Sequence, residues 1–106
     1  MNTQPTYFIS HGGGPWPWMK EQAGGYAELA ASLQAISTTL PAPPKAILMV
    51  SAHWEEANFT VQTAAQPGMV YDYSGFPAHT YEVTYPAPGA PDVAKRVKTL
   101  LTQAGI

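Results

Sequence analysis

Ala46-Ile47-Leu48-Met49-Val50 is the stretch that most constrains the fold: five apolar residues in a row, with none of the alternation of a half-exposed strand. An unbroken run this short, bounded by turn formers, fits a strand buried on both faces, as in a parallel sheet with helices above and below. Pro41-Ala42-Pro43-Pro44 stands ahead of it and Ser51-Ala52-His53-Trp54 behind it. Upstream of the prolines the period is helical. From about Tyr26, the residues Tyr26, Leu29, Ala30, Leu33, Ile36 and Leu40 share one face. The prolines stop that helix, because proline has no N–H to donate and drives its predecessor out of the helical region. Earlier still, Thr6-Tyr7-Phe8-Ile9-Ser10 is β-branched and aromatic and reads as a short strand. It enters the glycine loop His11-Gly12-Gly13-Gly14-Pro15, which Trp16-Pro17-Trp18 continues. Strand, helix, strand is a βαβ unit with a right-handed crossover. The expected fold class is therefore α/β, with a central, mostly parallel sheet flanked by helices.

Downstream, Phe59-Thr60-Val61-Gln62-Thr63 alternates and suggests a half-exposed or edge strand. Residues 67–91 are rich in Gly, Pro and Tyr and follow no period, although 81–85 reads as a short strand. Helical spacing returns from Pro91 to Gln103, with Val93, Val97, Leu100, Leu101 and Ala104 on one side. Pro91 suits a first helical turn and Gly105 a C-terminal cap. A helix that caps one residue before Ile106 leaves the α/β pattern without its next strand. Residues 1–106 are thus expected to be an incomplete N-terminal part of a larger domain.

Composition supports this and removes other classes. Charged residues make up 11% of the chain, against about 25% in an ordinary soluble domain. A free domain this small should be richer in charge, so more chain or another subunit is expected to cover part of its surface. Five Lys+Arg against seven Asp+Glu give a net charge of −2. No basic surface is available for nucleic acid, since the only cluster, Lys95, Arg96 and Lys98, reads as the polar face of a helix. There is no cysteine, which excludes disulfides, thiolate metal sites and a cysteine nucleophile. The apolar run is far short of the roughly 18 residues that suggest a membrane span. The N-terminus lacks a positively charged region followed by an apolar stretch. A cytoplasmic location is expected.

Two histidines carry the chemistry. His11 follows the first expected strand and His53 follows the apolar run. If these strands are parallel, both histidines lie at the carboxyl edge of the sheet, where open α/β sheets bind ligands. Neutral imidazole is the commonest side-chain metal ligand, and two at neighbouring strand ends make two-thirds of a facial triad for non-haem Fe(II). Glycines 12–14 let a substrate or a metal-bound water come close to the backbone. A lone loop histidine is ordinarily polar surface, and His79 is read so. Two in equivalent positions, one beside a triple glycine, favour a ligand pair. Glu55 and Glu56 are candidate carboxylate donors but read better as the solvated start of a turn. Trp16, Trp18 and Trp54 either line an aromatic pocket or, for at least one of them, fill the core. His-Gly-Gly-Gly also occurs as the oxyanion loop of α/β-hydrolases. None of the five serines lies in a G-x-S-x-G elbow, and that reading leaves His53 unexplained. The loop also lacks the spacing of a phosphate loop.

Four motifs occur in order: Ser10-His11-Gly12-Gly13-Gly14-Pro15, Ser51-Ala52-His53-Trp54, Tyr71-Asp72-Tyr73-Ser74-Gly75-Phe76-Pro77 and Tyr85-Pro86-Ala87-Pro88-Gly89. Together they resemble the class III extradiol ring-cleavage dioxygenases, specifically the LigB-like DOPA 4,5-dioxygenase branch. The resemblance covers nearly the whole chain but less than half of a family member. It implies a non-haem Fe(II) enzyme that opens a catechol-type substrate with O2, with zinc often found in place of iron. It implies that His11 and His53 are metal ligands, and that a third ligand and an acid–base histidine lie in a C-terminal part beyond these residues. His79 matches no ligand, and the motifs at 71–77 and 85–89 are expected to shape a loop near the pocket. This segment alone is expected to be inactive. The alternatives are a metal-binding or assembly module of the same fold, and a hydrolase using the His11–Gly14 loop.

Overall fold

The computed structural model describes residues 3–19 and 24–106. Among the described residues two α-helices form, α1 over Ala27–Thr39 and α2 over Pro91–Gln103. Short 3-10 turns occupy Trp16–Trp18, Gly24–Tyr26 and Ala78–Tyr81. Within 26–40, the partly covered positions are Tyr26, Leu29, Ala30, Leu33, Ile36 and Leu40, the stripe that the helical period picks out. Leu40 is extended (φ −76°, ψ 134°), as a residue ahead of proline must be, and α1 ends there. In its last turn the hydroxyls of Thr38 and Thr39 bond back to the carbonyls of Ala35 and Ile36, at 2.6 and 2.8 Å.

Pro91 opens α2 at a position where no N–H is needed. The helix closes on Gly105 at φ +81°. Gly105 N–H bonds the Thr102 carbonyl at 3.0 Å and Ile106 N–H bonds the Leu101 carbonyl at 3.0 Å. That pair of bonds is the Schellman closure, which satisfies carbonyls the helix leaves open. The covered stripe is Pro91, Ala94, Val97 and Leu101, while Val93 and Leu100 are exposed. The buried side of α2 is thus turned by about one residue from the expected one.

The expected α/β fold with a central, mostly parallel sheet is not what forms: the described residues contain no strand. Residues 6–10, 46–50 and 59–63 carry no ladder, and Tyr81, expected in a strand, ends a 3-10 turn. The reason is that a strand is completed by its neighbours. Apolar run length reports the surroundings a segment would suit, while the ladder bonds need a partner backbone at about 4.8 Å. Ile47, Leu48, Met49 and Val50 have no such partner here and are 65–88% exposed, the opposite of burial on both faces.

The residues group into two units, Met1–Lys45 with Tyr73–Val83 and Ala46–Asp72 with Thr84–Ile106. In the first, the Gln4 side-chain amide donates to the Ala42 carbonyl at 3.0 Å, and Tyr7 hydrogen-bonds Thr39 through their hydroxyls, so the N-terminal segment meets the C-terminal end of α1 and the proline stretch after it. Trp16 is the buried aromatic, at 3% exposure. In the second, Gly89 N–H bonds the Ala65 carbonyl at 2.8 Å. A side chain at Gly89 would run into the Ala64 carbonyl, so glycine is needed for that approach. Among the described residues no helix is long and apolar enough to cross a membrane.

Candidate metal-ligand loops

The His11 loop is held by aromatic side chains. The Trp16 indole N–H donates to the His11 carbonyl at 2.7 Å, so the buried ring fixes the backbone of the candidate ligand. Tyr26 stacks on Trp16, with centroids 4.7 Å apart and planes at 25°. The Tyr26 hydroxyl accepts from Gly13 N–H at 3.2 Å. Gly12 and Gly14 have φ of +69° and +61°, a region that favours glycine. A Cβ at Gly12 would lie 2.7 Å from Tyr26 Cε1 and 2.8 Å from Trp16 Nε1, and one at Gly14 would strike the Phe76 ring. The close approach that the triple glycine permits is therefore made by aromatic rings.

The motif at 71–77, which followed no period, takes its order from the same kind of packing. Tyr73 meets Phe76 edge-on at 5.5 Å and Tyr81 at 5.1 Å. The Tyr73 hydroxyl donates to the Thr80 carbonyl, and the fully buried Thr80 hydroxyl donates to the Pro77 carbonyl at 2.7 Å. His79, read from the sequence as without a metal role, lies with Nε2 2.8 Å from the Trp18 carbonyl. A carbonyl only accepts, so Nε2 is the donor. His79 thereby ties its turn to Trp18 across 61 positions of the chain.

His53 lies on the exposed turn after the apolar run. Its backbone N–H donates to Ser51 Oγ at 3.1 Å. Its Nδ1 is 2.7 Å from Asp72 Oδ2, with the two side chains 57% and 44% exposed. Glu56, one of the two carboxylates considered from the sequence, accepts from the Trp54 indole N–H at 2.9 Å. Asp72 was not among the sequence candidates. The signal for it was present, since it is the sole acidic residue between Glu56 and Glu82. Of the three tryptophans, Trp16 is core, while Trp18 and Trp54 are 53% and 47% exposed.

His11 belongs to the first unit and His53 to the second. Among the described residues, no group of three His, Asp or Glu side chains forms a metal-holding cluster. The donor chemistry nonetheless fits a divalent ion at His53. An imidazole whose second nitrogen is engaged by a carboxylate is the usual form of a metal-binding histidine.

Residues 5–106 match the model of a family described as the catalytic LigB subunit of aromatic ring-opening dioxygenase. The chain is 37% identical over its whole length to the dioxygenase tasH of Hapsidospora irregularis, of which it covers 34%. Over 98% of its length it is 36% identical to a 4,5-DOPA dioxygenase extradiol of Beta vulgaris, covering 37% of that protein. Over 92% it is 36% identical to a protein of the same name from Escherichia coli (strain K12), covering 33%. The chain thus spans about a third of the length of these relatives. No solved structure matches at a significant level.

Proposed function

We infer the function from one premise: the chain belongs to the family of the catalytic LigB subunit of aromatic ring-opening dioxygenases. The protein it forms part of opens the ring of a catechol-type substrate with O2, cleaving beside the diol. The observation that carries this reading is the family match over residues 5–106, which includes both histidine loops. The names of the relatives in Beta vulgaris and Escherichia coli make DOPA the first catechol to test.

In this reading His11 and His53 are two ligands of one Fe(II), and zinc can occupy the same donors. When bound, iron supplies the redox chemistry that joins catechol and O2, which zinc lacks. The neutral imidazoles add no negative charge, so a catecholate is tolerated beside them. Trp16 and Tyr26 hold the His11 backbone in place. Gly12 lets those two rings come close, and Gly14 admits the Phe76 ring. The third ligand and a proton-moving histidine come from the remainder of the protein or from another subunit. A reducing cytoplasm, the expected location, suits a ferrous site.

The test is oxygen uptake by the protein at full length, loaded anaerobically with Fe(II) and offered catechols beginning with DOPA. The reading predicts one O2 consumed per catechol with a ring-opened product, and none with zinc loaded instead. No uptake with any catechol would refute it, and metal binding without uptake would mark the chain as a binding module.

A further inference from the structure

We propose that Asp72 is the positioning residue for His53: it holds the imidazole in the tautomer with the proton on Nδ1 and presents Nε2 as the ligating nitrogen. The proposal rests on the reading of His53 as a metal ligand and deepens it. The geometry is a 2.7 Å contact between His53 Nδ1 and Asp72 Oδ2. An ionised carboxylate can only accept, so Nδ1 must be the donor. A neutral imidazole has one N–H, and fixing it on Nδ1 leaves the lone pair on Nε2. A metal bound at His53 is therefore bound through Nε2. The carboxylate also restricts rotation of the ring.

Two alternatives for this pair fit less well. A hydrolytic histidine–aspartate pair needs a serine nucleophile. The serine bonded at this turn, Ser51, receives the backbone N–H of His53, and no serine of the chain lies in a nucleophile elbow. Glu56 is nearer in sequence but is engaged by Trp54. Asp72 therefore gives the second motif after the glycine loop a chemical role, 19 residues from the histidine it serves.

The experiment compares wild type, Asp72→Ala, Asp72→Asn and His53→Ala in the protein at full length. Long-range 1H–15N spectra of the metal-free protein report the His53 tautomer, assigned by the signals lost in His53→Ala. The Nδ1–H form is expected in wild type and in Asp72→Asn, whose amide oxygen still accepts. Asp72→Ala is expected to move the proton to Nε2. Zinc titration of the same proteins should show affinity reduced about 10–100-fold in Asp72→Ala and largely restored in Asp72→Asn. The proposal is overturned if the tautomer is unchanged in Asp72→Ala. It is equally overturned if zinc affinity falls in His53→Ala but not in Asp72→Ala. If zinc affinity is unchanged in His53→Ala itself, the metal reading of His53 fails instead, and the presentation of Nε2 to a metal fails with it.

Discussion

Gly14 shows how much one residue decides in this chain. Its φ is +61°, and a methyl group there would overlap the Phe76 ring. Gly13, its neighbour, does not have a positive φ, and a Cβ there would make only an ordinary 3.5 Å contact with the Tyr26 hydroxyl. Gly14→Ala should therefore destabilise the protein by about 2–5 kcal/mol, the sum of left-handed strain and overpacking. Gly13→Ala should cost under about 1 kcal/mol. Urea denaturation of the two variants checks this, and equal midpoints would contradict the packing described. The His53–Asp72 pair behaves differently. With both side chains about half exposed, water screens it, and such pairs contribute only about 0–1 kcal/mol. Its value lies in orientation, so the effect of Asp72→Ala on metal binding should appear without unfolding.

The two helices were legible in the sequence because their determinants are local. The apolar period named the covered stripe of α1, Pro41 fixed its end, and Pro91 and Gly105 bracketed α2. The same logic predicts how α2 can be tuned. Its N-cap, Ala90, has no side-chain bond to the first turn, so Ala90→Asp should stabilise by about 0.5–2 kcal/mol. Gly105→Ala should destabilise by about 1–2 kcal/mol, because its φ of +81° is closed to a side chain. Thermal unfolding followed by circular dichroism reads both, and shifts of the opposite sign would contradict the capping geometry. That the described residues form no sheet was not legible in this way. Residues 46–50 have the composition of a buried strand, but pairing depends on segments distant in sequence, and no local pattern says whether they are in place. The candidate site divides along the same line. His11 and His53 were proposed as ligands from their loops, whereas Asp72 becomes a partner of His53 only through a 19-residue contact.

At the scale of the molecule, the exposed apolar surface and the low charge belong together. Residues 47–50 are 65–88% exposed, while only 11% of residues are charged. Contiguous apolar exposure of this kind marks an interaction surface. The chain spans about a third of the length of its relatives, and in the proposed reading the remainder, or another subunit, covers this surface and completes the metal site. The central claim is that His11 and His53 serve one metal. Anaerobic Fe(II) titration of the protein at full length, in wild type, His11→Ala and His53→Ala, tests it most directly. The account predicts one Fe(II) per chain in wild type and loss of at least about 100-fold in affinity in each variant, in line with removal of a metal ligand. Fe(II) bound equally well by all three proteins would contradict it.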